Sequence, residues 1–164
     1  MTAEGEPREE AQEAEEKAAD AVQGAEATVS VPLQERRPLD FRDVEILAPM
    51  VRASTLALRL ESLRYGADLA FGEEIVDKKL IGAVRVENPA FQTIDFVSPR
   101  EKACVFSTCA EERERVFFQL GTADGALASQ AALLVCRDVR GVDVNMGCPK
   151  SFSVKGGMGA ALLE

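Results

Sequence analysis

The sequence predicts an α/β fold built on a parallel sheet, and three observations carry that expectation. From Val44 onward, short apolar runs alternate with longer amphipathic stretches. The amphipathic stretches have the length that a crossover between parallel strands needs. At about 31 residues per βα unit, the figure for a (β/α)8 barrel of about 250 residues, residues 41–164 supply roughly four units. Four units make half of such a barrel, or a small doubly wound sheet.

Taken in order, Val44 to Val51 reads as a buried strand ending at Pro49, with Ser54 or Thr55 as the N-cap of a helix. Leu56, Leu60 and Leu63 then share one helical stripe, and Gly66 closes it. Ala67 to Phe71 is a second strand, and Asp77 to Val84 a helix. Arg85 to Val97 alternates like a hairpin turning near Asn88-Pro89. Val105 to Ser107 is a short strand and Arg115 to Leu120 a strong one. Thr122 is expected to cap a helix running to about Cys136, and Gly141 to Met146 is the last strand. Ala160 to Glu164 has the look of a first helical turn with no cap after it, so the sequence is expected to stop inside an element.

Ahead of these elements lies a different kind of chain. Residues 1–40 hold 11 acids against 4 bases, so most of the net charge of −9 belongs to them. Residues 1–30 are rich in Glu and Ala, with few bulky aliphatic residues to bury. They are expected to be a solvated, disordered acidic tail with at most a transient helix over Glu9 to Val22. Pro32 and Pro38 close the linker, which puts the domain at residues 41–164 and the first ordered residues near Val44.

Composition narrows the chemistry. With 46% hydrophobic and 29% charged residues the chain can build a core, and no apolar run reaches the ~18 residues of a membrane span, so no membrane is expected. The sequence contains no histidine, which excludes histidine catalysis and every zinc motif that uses one. The four cysteines, at 104, 109, 136 and 148, have no CxxC spacing, and no metal is expected. No secretory or mitochondrial leader is apparent, so reduced thiols in the cytoplasm, or the nucleus, are expected. Cys136 reads as a small core residue.

Cys148 stands apart. It follows the carboxyl end of the last strand, between Gly147 and Pro149, and ligand sites of parallel sheets gather at that end. A thiol there can donate a proton or act as a nucleophile, the alternative being an incidental loop cysteine. Asn145 and Gln119 put amides at the ends of two strands, where paired donor and acceptor bonds can fix a planar heterocycle, or simply cap loops. Pro49 and Met50 offer a flat apolar surface suited to an aromatic ring. The run Lys155-Gly156-Gly157-Met158-Gly159 fits neither GxxxxGK[ST] nor GxGxxG, and reads better as a mobile active-site loop.

Ala48 to Arg52 (APMVR), Phe118 to Thr122 (FQLGT), Val144 to Lys150 (VNMGCPK) and the KGGMGAALL that follows resemble the tRNA-dihydrouridine synthases. The similarity is greatest to the eukaryotic branch that acts at position 20 of the D-loop, and it covers about residues 44–164. The resemblance implies the N-terminal half of a TIM (β/α)8 barrel carrying FMN. It implies hydride transfer from reduced FMN to C6 of a flipped-out uridine in tRNA, a proton to C5 from Cys148, and NADPH as reductant. By the same carry-over Pro49, Met50 and Val51 cradle the flavin, Gln119 contacts its polar ring edge, and Asn145 holds the uracil. The family's later lysine, histidine, phosphate-binding glycines and helical tRNA-binding domain have no counterpart here, and Gly72 stands where a bulkier residue or a cysteine is expected. The fragment alone is therefore expected to be inactive. The alternatives are another FMN barrel reductase acting on free pyrimidines, or a non-catalytic truncated product that survives by binding a partner.

Overall fold

A computed structural model describes residues 39–163. The expected acidic tail lies outside the described residues. The first strand, β1 (Ile46–Leu47), is followed by α1 (Leu56–Arg64), β2 (Leu69–Phe71), β3 (Ile75–Val76) and α2 (Asp77–Ile81). Three longer strands come next, β4 (Val84–Asn88), β5 (Thr93–Ser98) and β6 (Ala103–Cys109). The chain continues as β7 (Val116–Gly121), α3 (Gly125–Val135), β8 (Gly141–Val144), α4 (Ser151–Lys155) and a 3-10 turn at Gly159–Leu163.

The parallel sheet predicted from sequence is present. β1 pairs with β2, β2 and β3 pair in succession along one edge of β7, and β8 pairs with the other edge. Strands therefore neighbour each other in chain order, as in a partial barrel. Among the described residues the sheet does not close on itself.

The two faces of this sheet differ. Val116, Phe118 and Leu120 of β7 point to the helix side, where Leu80, Ala131, Val135 and Val139 complete a buried cluster. Registered neighbours in parallel strands share a face. Ile46, Leu69, Phe71, Phe117, Gln119, Gly141 and Asp143 thus line the opposite, inner face. Phe71 and Phe117 stack there with ring centroids 4.9 Å apart. Gly141 is small because a Cβ would lie 2.6 Å from the Phe117 ring.

Several expectations need correction. Val105 to Ser107 is the middle of a seven-residue strand that pairs antiparallel with β5, so the hairpin is a three-stranded sheet. Its Phe96 and Phe106 enter the buried cluster, and that burial extends β6 beyond what its local pattern suggests. Thr122 does not cap α3. Asp124 does, its Oδ1 accepting from the backbone N–H groups of Ala126 and Leu127 at 2.8 and 2.9 Å. The Thr122 hydroxyl instead donates to Asp77 Oδ2 at 2.7 Å, joining the end of β7 to the start of α2. Helix α1 ends as expected: Gly66, at φ 112°, takes the left-handed position past the last turn. The surprise in α1 is Arg59, which is buried deeper than the leucine stripe around it.

Candidate functional site

The residues singled out from sequence all lie at the carboxyl ends of the parallel strands, where the chain leaves the sheet. Pro49, Met50 and Val51 form the turn after β1. Met50 is 40% exposed and Val51 62%, so this turn presents apolar surface instead of burying it. Its backbone is nevertheless fixed. Ser54 accepts from the Met50 N–H at 2.9 Å and donates to the Ala48 carbonyl at 3.0 Å. Arg52 sits in left-handed backbone at φ 66°, and its N–H donates to Glu73 at 2.8 Å. Most residues avoid that conformation, so a fixed shape is being held against a local cost.

Gln119 lies on the inner face near the end of β7 and is 8% exposed. Its Nε2 donates to Asp143 Oδ2 at 2.8 Å, across the β7–β8 register. Asp143 was not singled out from sequence. The period of two along β8, which puts Asp143 and Asn145 on the same side, was the pattern that marked it.

The turn after β8 is built around Asn145. Its Oδ1 accepts from the N–H groups of Gly147 and Cys148, both at 3.1 Å. This is an Asx-type turn, the local device that asparagine favours. It also alters the sequence-based expectation of paired donor and acceptor bonds. With its oxygen occupied, Asn145 offers only amide hydrogens.

Cys148 is half-buried and is held at its N–H, its carbonyl and its sulfur. Its N–H is fixed by Asn145, and its carbonyl accepts from Ala160 N–H at 3.0 Å. The Ser153 hydroxyl donates to its sulfur at 3.3 Å. Gly159 lies against it with φ 61°, where a Cβ would come within 2.5 Å of the Cys148 carbonyl oxygen. The glycine-rich run that the sequence reads as a closing loop is here a tight turn under the thiol, with Met158 only 7% exposed. Ser153 was missed from sequence, since only the helical turn of α4 brings it back to the sulfur.

One polar atom at this end of the sheet lacks a partner among the described residues. Glu74 Oε1 is buried without a hydrogen bond, and it sits 2.6 Å from where a side chain on Gly121 would begin. Such an atom is costly unless a donor reaches it. A separate cavity of about 560 Å³, lined by residues such as Arg85, Asn88, Thr108, Cys109 and Asp138, includes none of the site residues. Among the described residues no cluster of candidate metal ligands is found, and no helix is long and apolar enough to cross a membrane.

Comparison with known proteins fits this arrangement. A family model described as dihydrouridine synthase (Dus) matches residues 46–164. The chain is 53% identical over 125 residues to a tRNA-dihydrouridine(20) synthase [NAD(P)+] of Saccharomyces cerevisiae, covering 73% of this chain and 33% of that protein. It is 49% identical over 129 residues to the protein of the same name from Schizosaccharomyces pombe, covering 77% and 27%. A tRNA-dihydrouridine(20a/20b) synthase [NAD(P)+]-like protein of Homo sapiens is 30% identical over 121 residues, covering 74% and 33%. The chain thus spans between about a quarter and a third of the length of the curated relatives it matches.

Proposed function

The chain belongs to the dihydrouridine synthase family, and on that premise we propose that it supplies one side of a flavin site that reduces uridine to dihydrouridine in the D-loop of tRNA. The observation that carries this reading is the presentation of Cys148. A thiol clamped at its N–H, its carbonyl and its sulfur, on a turn at the carboxyl end of a parallel sheet, suits a proton donor that must meet a bound base.

The residues present fit FMN. Pro49, Met50 and Val51 give apolar surface held in a fixed shape. Gln119 keeps a carbonyl oxygen beside its bond to Asp143, and the unpaired Glu74 oxygen marks a place where a donor is wanted. β1 and β8 are separated by two strands, about 14 Å at ~4.8 Å per strand, which suits a multi-ring cofactor more than a single base. When bound, FMN supplies the hydride for C6, and NADPH restores it.

This chain's own residues do the rest. Asn145, offering amide hydrogens only, recognises a carbonyl oxygen of uracil. Cys148 gives its proton to C5 and holds the negative charge left on sulfur until water reprotonates it. The parallel strands are the N-terminal part of a TIM barrel whose other strands complete the cup.

The test is a chimaera in which residues 46–164 replace the matching segment of the Saccharomyces cerevisiae relative, in cells lacking that enzyme. The expected result is dihydrouridine restored in tRNA, and a loss of about a hundredfold or more in rate with Cys148→Ala. A folded, flavin-loaded chimaera that leaves tRNA unmodified would overturn the reading.

A further inference from the structure

Ser153 has a buried hydroxyl whose partner is unusual. The residue is 2% exposed, and its hydroxyl donates to the Cys148 sulfur at 3.3 Å instead of to a carbonyl of its own helix. A thiol sulfur is a weak acceptor, so this is a poor use of a buried donor while the sulfur is neutral. The bond strengthens when the sulfur carries charge, because hydrogen bonds to ions are roughly twice as strong as neutral ones.

We propose that Ser153 is a positioning residue for Cys148, fixing the orientation of the thiol and stabilising the thiolate that proton donation leaves behind. The inference rests on the reading of Cys148 as proton donor. In that step the S–H bond breaks and a C–H bond forms at C5 of a base already carrying hydride at C6. The bonding pair stays on sulfur, and water returns the proton. Ser153 keeps its own proton throughout. It favours the product of the transfer over the reactant, which is what a group acting on the donor must do.

The neighbouring clamps make this specific to one rotamer. Asn145 fixes the Cys148 N–H, and Ala160 fixes its carbonyl at 3.0 Å. Only the side-chain torsion is left to set, and the Ser153 hydroxyl sets it.

The experiment needs no flavin. The 164-residue chain is labelled with limiting iodoacetamide at neutral pH, and the four thiols are compared by peptide mass spectrometry. Cys104, Cys109 and Cys136 serve as internal references. With Ser153→Ala the sulfur loses the hydroxyl that bonds to it, and labelling of Cys148 is expected to slow about threefold against the references. Ser153→Thr keeps the hydroxyl and restores the rate.

Unchanged or faster labelling of Cys148 in Ser153→Ala, with steady references, overturns the proposal. Where all four thiols speed up together, the alanine variant has opened the chain. The isosteric pair Ser153→Thr and Ser153→Val then decides: faster labelling of the threonine variant supports the coupling, and equal rates overturn it. A chimaera that fails to modify tRNA while labelling behaves as expected removes the proton-donor reading and leaves the Ser153–Cys148 coupling. The reverse pattern removes only the coupling.

Discussion

At Gly159 two physical constraints meet on one residue. Its φ of 61° disfavours any side chain, at roughly 1–2 kcal/mol, and a Cβ would stand 2.5 Å from the Cys148 carbonyl oxygen. Because that neighbour is backbone, it cannot swing aside. Gly159→Ala is expected to lower stability in urea by about 2 kcal/mol or more and to change the labelling of Cys148. Cys104 offers a contrasting thiol. Burial of its sulfur pushes the thiol up, and the nearby Asp95 charge adds to this, although much of the residue is exposed. At pH 8 it should therefore react more slowly than a free thiol, and Asp95→Asn should speed it. No change on that substitution would show that the carboxylate is not felt at the sulfur.

Between elements, a buried ion pair ties Arg59 of α1 to Glu112, which precedes β7. They are 2% and 0% exposed, and meet through two hydrogen bonds of 2.9 and 2.7 Å. Arg59 also donates to the carbonyls of Ser54 and Ser107, and its guanidinium lies 5.1 Å from the Phe106 ring centroid. Thr108 donates to Glu112 at 2.8 Å. Removing one member of a buried pair leaves an uncompensated charge, so Glu112→Gln should cost about 3–5 kcal/mol in urea unfolding. Replacing both by apolar residues should cost distinctly less. A second element-level effect follows pH. Burial raises the Asp95 carboxyl, but hydrogen bonds from Ser107, Asn88 and Thr93 outweigh it and leave it below its ordinary value. A carboxyl lowered in the folded state stabilises above its unfolded value and ceases to do so as pH falls through its folded value. Asp95→Asn should therefore flatten the acid side of the stability profile, read as the unfolding midpoint between neutral pH and about pH 3.

At the largest scale, the described residues carry a parallel sheet that stays open at both edges. Among the described residues β1 and β8 each pair on one side only, and Ile46, Met50, Val51 and Met146 remain 40% exposed or more. Unpaired parallel edges beside apolar surface favour association and cannot enclose a cofactor. The purified 164-residue chain is expected to bind a hydrophobic dye such as ANS and to lack flavin absorbance. Stoichiometric flavin in that sample would overturn this expectation. How much of this was legible in the sequence depends on the range of the physics involved. The parallel sheet, the Gly66 helix end, the hairpin turn near Asn88-Pro89 and the turn carrying Cys148 arise from periodicity and from residues with restricted backbones. Those act within a few positions of the chain. The closure of β6 onto β5, the capping of α3 by Asp124, the burial of Arg59 against Glu112 and the approach of Ser153 to sulfur depend on which surfaces and donors meet after folding. Periodicity carries no record of a partner 53 residues away, as Glu112 is from Arg59, or of which of two nearby oxygens reaches a free N–H first. Local order was thus written in the chain. The assignment of each buried polar group to its partner was decided only by tertiary packing, because a buried donor must take whichever acceptor the fold brings within reach.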